Sequence, residues 1–242
     1  MSASVGLPVG GDSRSTVAGT LRDILDAAAD GVFPPADGGT TVVPQPSPRD
    51  AGVLSFTAHS VVFVDEDPGW VYDALRAVPC DPLCATMNAR FLTALMDRTG
   101  REQETIDALL VAAPLPGHPD LPLTELTGTD HSRVAYARAR RDEVRAWAAD
   151  GGVVVLGRGV AGRLEASVEV AEGARRGLGR ALLTAARQLA GEPLWAQVAP
   201  GNARSVRAFQ AAGYTPVGAE ALLQPDVYQA GRRDWCARPG PA

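Results

Sequence analysis

Apolar positions recur with a helical period near the start of the chain. Val17, Leu21, Ile24, Leu25 and Ala28 fall on one face of residues 16–29, which predicts an amphipathic helix with Ser15 or Thr16 as N-cap. The period then breaks. Residues 33–52 hold prolines and glycines at a density that forbids a regular element of any length, and predict a connector. The β-branched run Val53–Val64 predicts one strand. The acids and proline of DEDPGW then signal a helix start, with helices over 69–77 and 88–99. Thr105–Ala113 is ambiguous by period; a strand is favoured, ended by the proline-rich 114–122.

The second half has a clearer rhythm. A helix over 130–140 leads to strands at Glu143–Ala149 and Val153–Arg158 around Asp150-Gly151-Gly152, a hairpin composition. A second turn, Gly159–Gly162, returns the chain as Arg163–Val170. A glycine-broken turn, a helix to about Ala190, a strand at 194–199, a helix at 202–212 and a strand at Tyr214–Leu223 follow. Interleaved helices and strands make the class α/β (α+β).

Composition narrows the picture. With 242 residues and 45% apolar content, the chain can build a real core. Its apolar runs are short and interrupted by charge, and the start MSASVGLPVGGDSR lacks a signal-peptide pattern, so a cytoplasmic protein is expected. The 23 basic side chains are all arginine, and the net charge of −5 argues against nucleic acid as the main partner. Cys80, Cys84 and Cys236 are odd in number and have no neighbouring histidine, so reduced thiols are expected, with neither a disulfide framework nor a zinc site.

The chemistry concentrates in EASVEVAEGARRGLGRALL, residues 165–183, where a strand runs through a glycine turn into an apolar helix. A helix start leaves its first N–H groups unpaired at the positive end of the dipole, and Gly177 and Gly179 leave the backbone open to close approach by an anion. Alternation puts Glu165, Ser167 and Glu169 on one face of the strand. Glu165 reads as a solvated acid. Glu169, close to the turn, is the candidate general base, a role that requires burial to raise its pKa toward neutrality. Downstream, Asn202, Ser205 and Phe209 share one helix side in PGNARSVRAFQAAGY; Asn202 also reads as an N-cap, Phe209 as core, and Gly213 as the helix stop. The isolated His59 reads as a satisfied strand histidine, and Arg138, Arg140 and Arg141 as a solvated basic face. A dinucleotide site is excluded because GLGRAL lacks the third glycine of that fingerprint.

Strand, R-x-G-x-G-x-A helix, strand and P-G-N-x-x-S-x-x-x-F-x-x-x-G-Y together resemble the GNAT (GCN5-related) N-acetyltransferase superfamily over about residues 140–224; the N-terminal half looks like that of uncharacterised actinobacterial members. The resemblance implies a GNAT-like mixed, mostly antiparallel central sheet with flanking helices and an N-terminal α/β extension. It implies four regions: a helix and connector at 1–52, an α/β region at 53–139 completing the acceptor side, an acetyl-CoA-binding core at 140–224, and a tail at 225–242. Two central strands would splay to admit the pantetheine arm. Val168 and Val170 would offer backbone groups to it; Arg175, Arg176, Gly177, Leu178, Gly179 and Arg180 would hold the pyrophosphate, and Asn202 and Ser205 would approach from the other side. The reaction implied is direct acetyl transfer from acetyl-CoA to a primary amine of a small molecule or protein N-terminus, without metal, nucleic acid or membrane, by a monomer or homodimer. The chain departs from the family pattern at Ala174, where Arg or Gln is usual, and at Phe209, where many relatives carry the tyrosine that protonates the leaving thiolate. These departures motivate a second reading, a catalytically weak acyl-CoA-binding sensor or interaction module.

Overall fold

The computed structural model describes residues 19–128 and 131–225. The strands are β1 (Thr40–Val43), β2 (Ala51–Phe56), β3 (His59–Phe63), β4 (Glu102–Ala112), β5 (Thr124–Glu125), β6 (Asp142–Ala149), β7 (Gly152–Arg158), β8 (Leu164–Val170), β9 (Leu194–Val198) and β10 (Thr215–Gln224). The helices are α1 (Leu21–Ala29), α2 (Pro68–Arg76), α3 (Pro82–Ala85), α4 (Ala89–Thr99), α5 (Ser132–Arg138), α6 (Leu178–Leu189) and α7 (Ala203–Ala211). All strands join one sheet in the order β1-β3-β2-β10-β4-β9-β8-β7-β6-β5. Pairing is antiparallel except at β1/β3 and β8/β9, so the expected mixed, mostly antiparallel sheet with flanking helices is what forms. β4, from the N-terminal half, lies between β9 and β10.

Strand alternation sorts the core into two faces. Leu110, Val154, Leu156, Ala166, Ala196 and Val198 pack under α6 and α7, whose buried side includes Leu178, Leu182, Leu183 and Phe209. Farther along, α2 and α4 cover Val53, Val62 and Ala221. On the opposite face α1 covers Leu109, Val111 and Trp195, and α5 covers Ala146, Val153 and Val155. No helix among the described residues is long and apolar enough to cross a membrane.

Several boundaries depart from the sequence expectation. The expected connector holds β1, because Pro34, Pro35 and Pro44 flank Thr40–Val43 without entering it. Val53–Val64 is a hairpin and not one strand: β2 and β3 pair antiparallel around Thr57 and Ala58, the latter at φ 54°. That turn lacks the Asn-Gly or Gly-X signature that would mark it in sequence. α1 starts at Leu21, where Thr20 and Asp23 form a capping box. Ser15 and Thr16 lie outside the described residues, as does Cys236.

Candidate functional site: a forked sheet

β8 and β9 run parallel but pair only at Leu164↔Leu194 and Glu165↔Trp195. Beyond Glu165 the two strands part. Ala171 donates to the Gly151 carbonyl at 2.9 Å, continuing the β7/β8 ladder by one pair. Hydrogen-bonded pairs alternate in an antiparallel ladder, so Glu169 and Ser167 also face β7 with their backbone groups. Val168 and Val170 therefore turn their N–H and C=O groups toward β9, past the point where the β8/β9 ladder ends.

Two helices begin at the open end of this fork, because each follows the C-terminal end of one of its strands. α6 follows β8 through Ala171–Gly177. Gly177 is its N-cap at φ 82°, a left-handed conformation that favours glycine, and supplies no side-chain acceptor to the first-turn N–H groups. A Cβ on Gly179 would stand 3.6 Å from Val170 and 3.8 Å from Ala208, so the helix start lies in the crevice between β8 and α7. Leu178 is buried beneath it, while Arg175, Arg176 and Arg180 are exposed. α7 follows β9. Asn202 is its N-cap, accepting from the Ser205 N–H at 3.0 Å, so this side chain does act as a cap. Ser205 is half-buried beside it. Arg175, Arg176 and Arg180, with Arg204 and Arg207 on α7, form no ion pair among the described residues. Most other arginines are paired or hydrogen-bonded, so free positive charge gathers at the fork's mouth in an acidic chain.

Phe209 is core, stacked edge-on against Tyr214 with centroids 4.9 Å apart. Tyr214 belongs to the closed end of the fork: it precedes Thr215, which pairs with Val111, which pairs with Trp195. Its buried hydroxyl has no hydrogen-bond partner among the described residues, and burial pushes its pKa well above the ordinary tyrosine value. A proton donor to a thiolate at the mouth is not available from it.

The face opposite α6 and α7 carries charge. Glu165, expected at the surface, is 3% exposed. It accepts from Arg163 Nε and Arg141 Nε, each at 2.8 Å, while Arg163 Nη2 reaches Glu220 at 2.7 Å and Gln197 also donates to Glu220. Burial works to raise the Glu165 pKa, but two guanidinium groups outweigh it and hold the carboxyl below the usual range. Glu220 shares only Arg163, and burial pushes it up. Of the basic run expected to be solvated, Arg138 is exposed, but the Arg140 and Arg141 side chains are only 10% and 12% exposed. Glu169 is the exception on this strand, 40% exposed and paired with Arg133 at 3.4 Å.

Between α5 and the strands β4 and β8 this face holds a cleft of about 100 Å³, lined among others by Asp107, Tyr136, Arg140, Arg141, Glu165 and Gln197. Asp107 has no counterpart in the sequence reading. It sits on β4 directly across from Glu220, at the end of the β4/β9 ladder nearest the fork's mouth. Burial first, then Glu220 and Glu104, push its carboxyl up to about 6. The available signal was a single acid inside the apolar run TIDALLVAA. His59 bonds Asp37 at 2.8 Å and Thr41 at 3.0 Å, and His131 caps α5, so neither belongs to the fork. No metal-ligating cluster occurs among the described residues.

No family model matches the chain, and a search of curated proteins gives no match. Among solved structures it is similar to a GCN5-related N-acetyltransferase from Kribbella flavida, at 19% identity and TM-score 0.36 over 55% of this chain and 63% of that one. Another from Sphaerobacter thermophilus gives 18% and 0.35 over 56% of each chain. A GNAT-family acetyltransferase from Colwellia psychrerythraea gives 11% and 0.33 over 56% and 62%. The chain thus spans less than two thirds of each of these structures. At such identities and scores the reading of the site rests on the chain's own residues.

Proposed function

We infer that the fork is an acyl-CoA slot and that the protein is a GNAT-type N-acetyltransferase, moving an acetyl group from acetyl-CoA to a primary amine by direct attack. The observation that carries this reading is the parting of β8 from β9 beyond Glu165, with two helix N-termini and unpaired arginines at the open end. A pantetheine arm is an amide chain; it suits the outward N–H and C=O groups of Val168 and Val170. A pyrophosphate suits the N–H groups of Gly177–Arg180 with Arg175, Arg176 and Arg180 around them. Asn202 and Ser205 line the arm's other side through the start of α7. The amine enters from the opposite face, where residues 53–139 supply β4 and the wall of the cleft, and backbone N–H groups at the fork stabilise the developing oxyanion. Glu169 lacks the burial that a base near neutrality needs, so the amine's proton falls to another group on that face.

A second reading has its own observation. Phe209 cannot donate a proton and Tyr214 lies at the closed end, so neither of these rings serves the thiolate as an acid; the fork would then hold acyl-CoA as a sensor or interaction module. Acetyl-CoA should raise the melting temperature saturably under either reading. Amine-dependent release of free thiol from acetyl-CoA, across a panel of amines, separates them: stimulation supports the enzyme, and binding without stimulation by any amine supports the sensor.

A further inference from the structure

Charge in the cleft does not balance. Arg141 and Arg163 are matched by Glu165 and Glu220, and Arg140 lies 3.8 Å from Glu104. Asp107 is left over. No cation or hydrogen-bond donor among the described residues opposes the burial and the two neighbouring carboxylates that act on it. The cleft also has an unmet need of the opposite kind. The Arg140 side chain is nine-tenths buried, held over the Tyr136 ring at 3.8 Å, and its Nη2 has no hydrogen-bond partner among the described residues. A buried guanidinium N–H without an acceptor is costly, and a carboxylate brought by a ligand would satisfy it.

One small cleft therefore offers a carboxylate without a cation and a guanidinium N–H whose ion-pair partner, Glu104, stands beyond hydrogen-bond distance. Its volume of about 100 Å³ is below the roughly 150 Å³ that takes up benzene. We propose that the acceptor is a small amino acid, its ammonium group on Asp107 and its carboxylate on Arg140, with Asp107 as the catalytic base. The inference rests on the acyl-CoA reading of the fork. In the reaction Asp107 takes one proton from the ammonium group, freeing the nitrogen lone pair. The C–N bond forms as the C–S bond breaks; a second N–H proton goes to the departing sulfur, and Asp107 returns its proton to water. The charged and titratable groups around Asp107 in the cleft are Glu220 from β10, Glu102 and Glu104 from β4, Asp50 just before β2, Glu165 from β8, and Tyr136, Arg140 and Arg141 from α5 and its C-terminal extension, with Gln197 from β9 beside them. Glu220 and Glu104 oppose its ionisation, as a base working near neutrality requires.

The test compares L-alanine with ethylamine, the same amine without the carboxylate, by thiol release from acetyl-CoA and by calorimetric titration of the full chain with and without CoA. The wild type should favour L-alanine in kcat/KM by at least about tenfold. Arg140→Gln should erase that preference, chiefly by raising the KM for L-alanine. Asp107→Asn, which is isosteric and removes a repelled charge, should fold, keep the acetyl-CoA melting shift and lose about 10²-fold or more in kcat. It should also lose the acidic limb of the pH profile. Equal use of ethylamine and L-alanine, or wild-type kcat in Asp107→Asn, would overturn the inference while leaving acetyl transfer intact. Failure of acetyl-CoA to bind would instead sink the acyl-CoA reading. In that case absence of L-alanine binding heat overturns the amino-acid site as well, and its presence, lost in Arg140→Gln, supports it.

Discussion

The two faces of the sheet meet at the fork and are built from opposite materials. Under α6 and α7 the face is apolar, from Leu110 and Val154 to Leu182 and Phe209, and its charged residues stand at the rim. Under α1 and α5 the same strands bury Arg163, Glu165 and Glu220, and hold Asp107 beside them. The contrast separates two tasks. Gripping a large cosubstrate can be left to backbone amides and a rigid helix start, which need only a dry scaffold behind them. Choosing and activating an amine needs side-chain charge in a poorly solvated place, which must be compensated almost completely and left uncompensated at one point.

The contrast can be broken most strongly at Arg163. Arg163→Met leaves Glu220 without its cation and should destabilise the fold by about 3–5 kcal/mol in urea unfolding. A neutral or stabilising result would mean that the charged face is not held by this network. Leu182→Ala on the apolar face should lose about 2–5 kcal/mol by transfer and cavity terms. Its loss should not depend on pH between 4 and 7, whereas that of Arg163→Met should. Gly177→Ala places a Cβ in a left-handed conformation with open space around it, so backbone strain alone should act, at about 1–2 kcal/mol.

A smaller effect follows the sign of the shifts. The folded pKa of Asp107 lies above its unfolded value of 3.8, at about 6, so the native state holds this proton more tightly. Its contribution to stability is fullest below the unfolded value and declines as pH rises to about 6. Glu165, shifted down, acts oppositely and loses its contribution as pH falls. Asp107→Asn should flatten the decline toward neutral pH, read from melting temperatures across that range. Smallest of all, Tyr214→Phe removes a buried hydroxyl without a partner and should change stability by less than about 0.5 kcal/mol, or increase it, with thiol release unchanged.

How far each face was legible follows from the same difference. The helix face is a local matter: a strand, a glycine turn and an apolar helix contiguous in 165–183, and a capped helix in 202–212, reveal themselves by period and punctuation. β4 and β6 to β10 fell within a few residues of their expected spans, and β1, β5 and the β2/β3 turn were hidden because none carries turn or strand signals beyond a few β-branched residues. The charged face is assembled across the chain. Arg163 and Glu220 are 57 positions apart, and Asp107 meets Glu220 only because β4 enters the sheet beside β10. No spacing rule connects these positions, so Glu165 and Arg141 read as solvated and Asp107 as nothing.

Hydrogen exchange with and without acetyl-CoA tests the fork most directly. If the fork is the acyl-CoA slot, the ligand should slow exchange at Val168 and Val170 on the parted edge of β8 and at Gly179 and Arg180 in the first turn of α6, while the β2/β3 hairpin stays unchanged. Slowing confined to other segments, or unchanged exchange at these amides when acetyl-CoA saturates the protein, would contradict it.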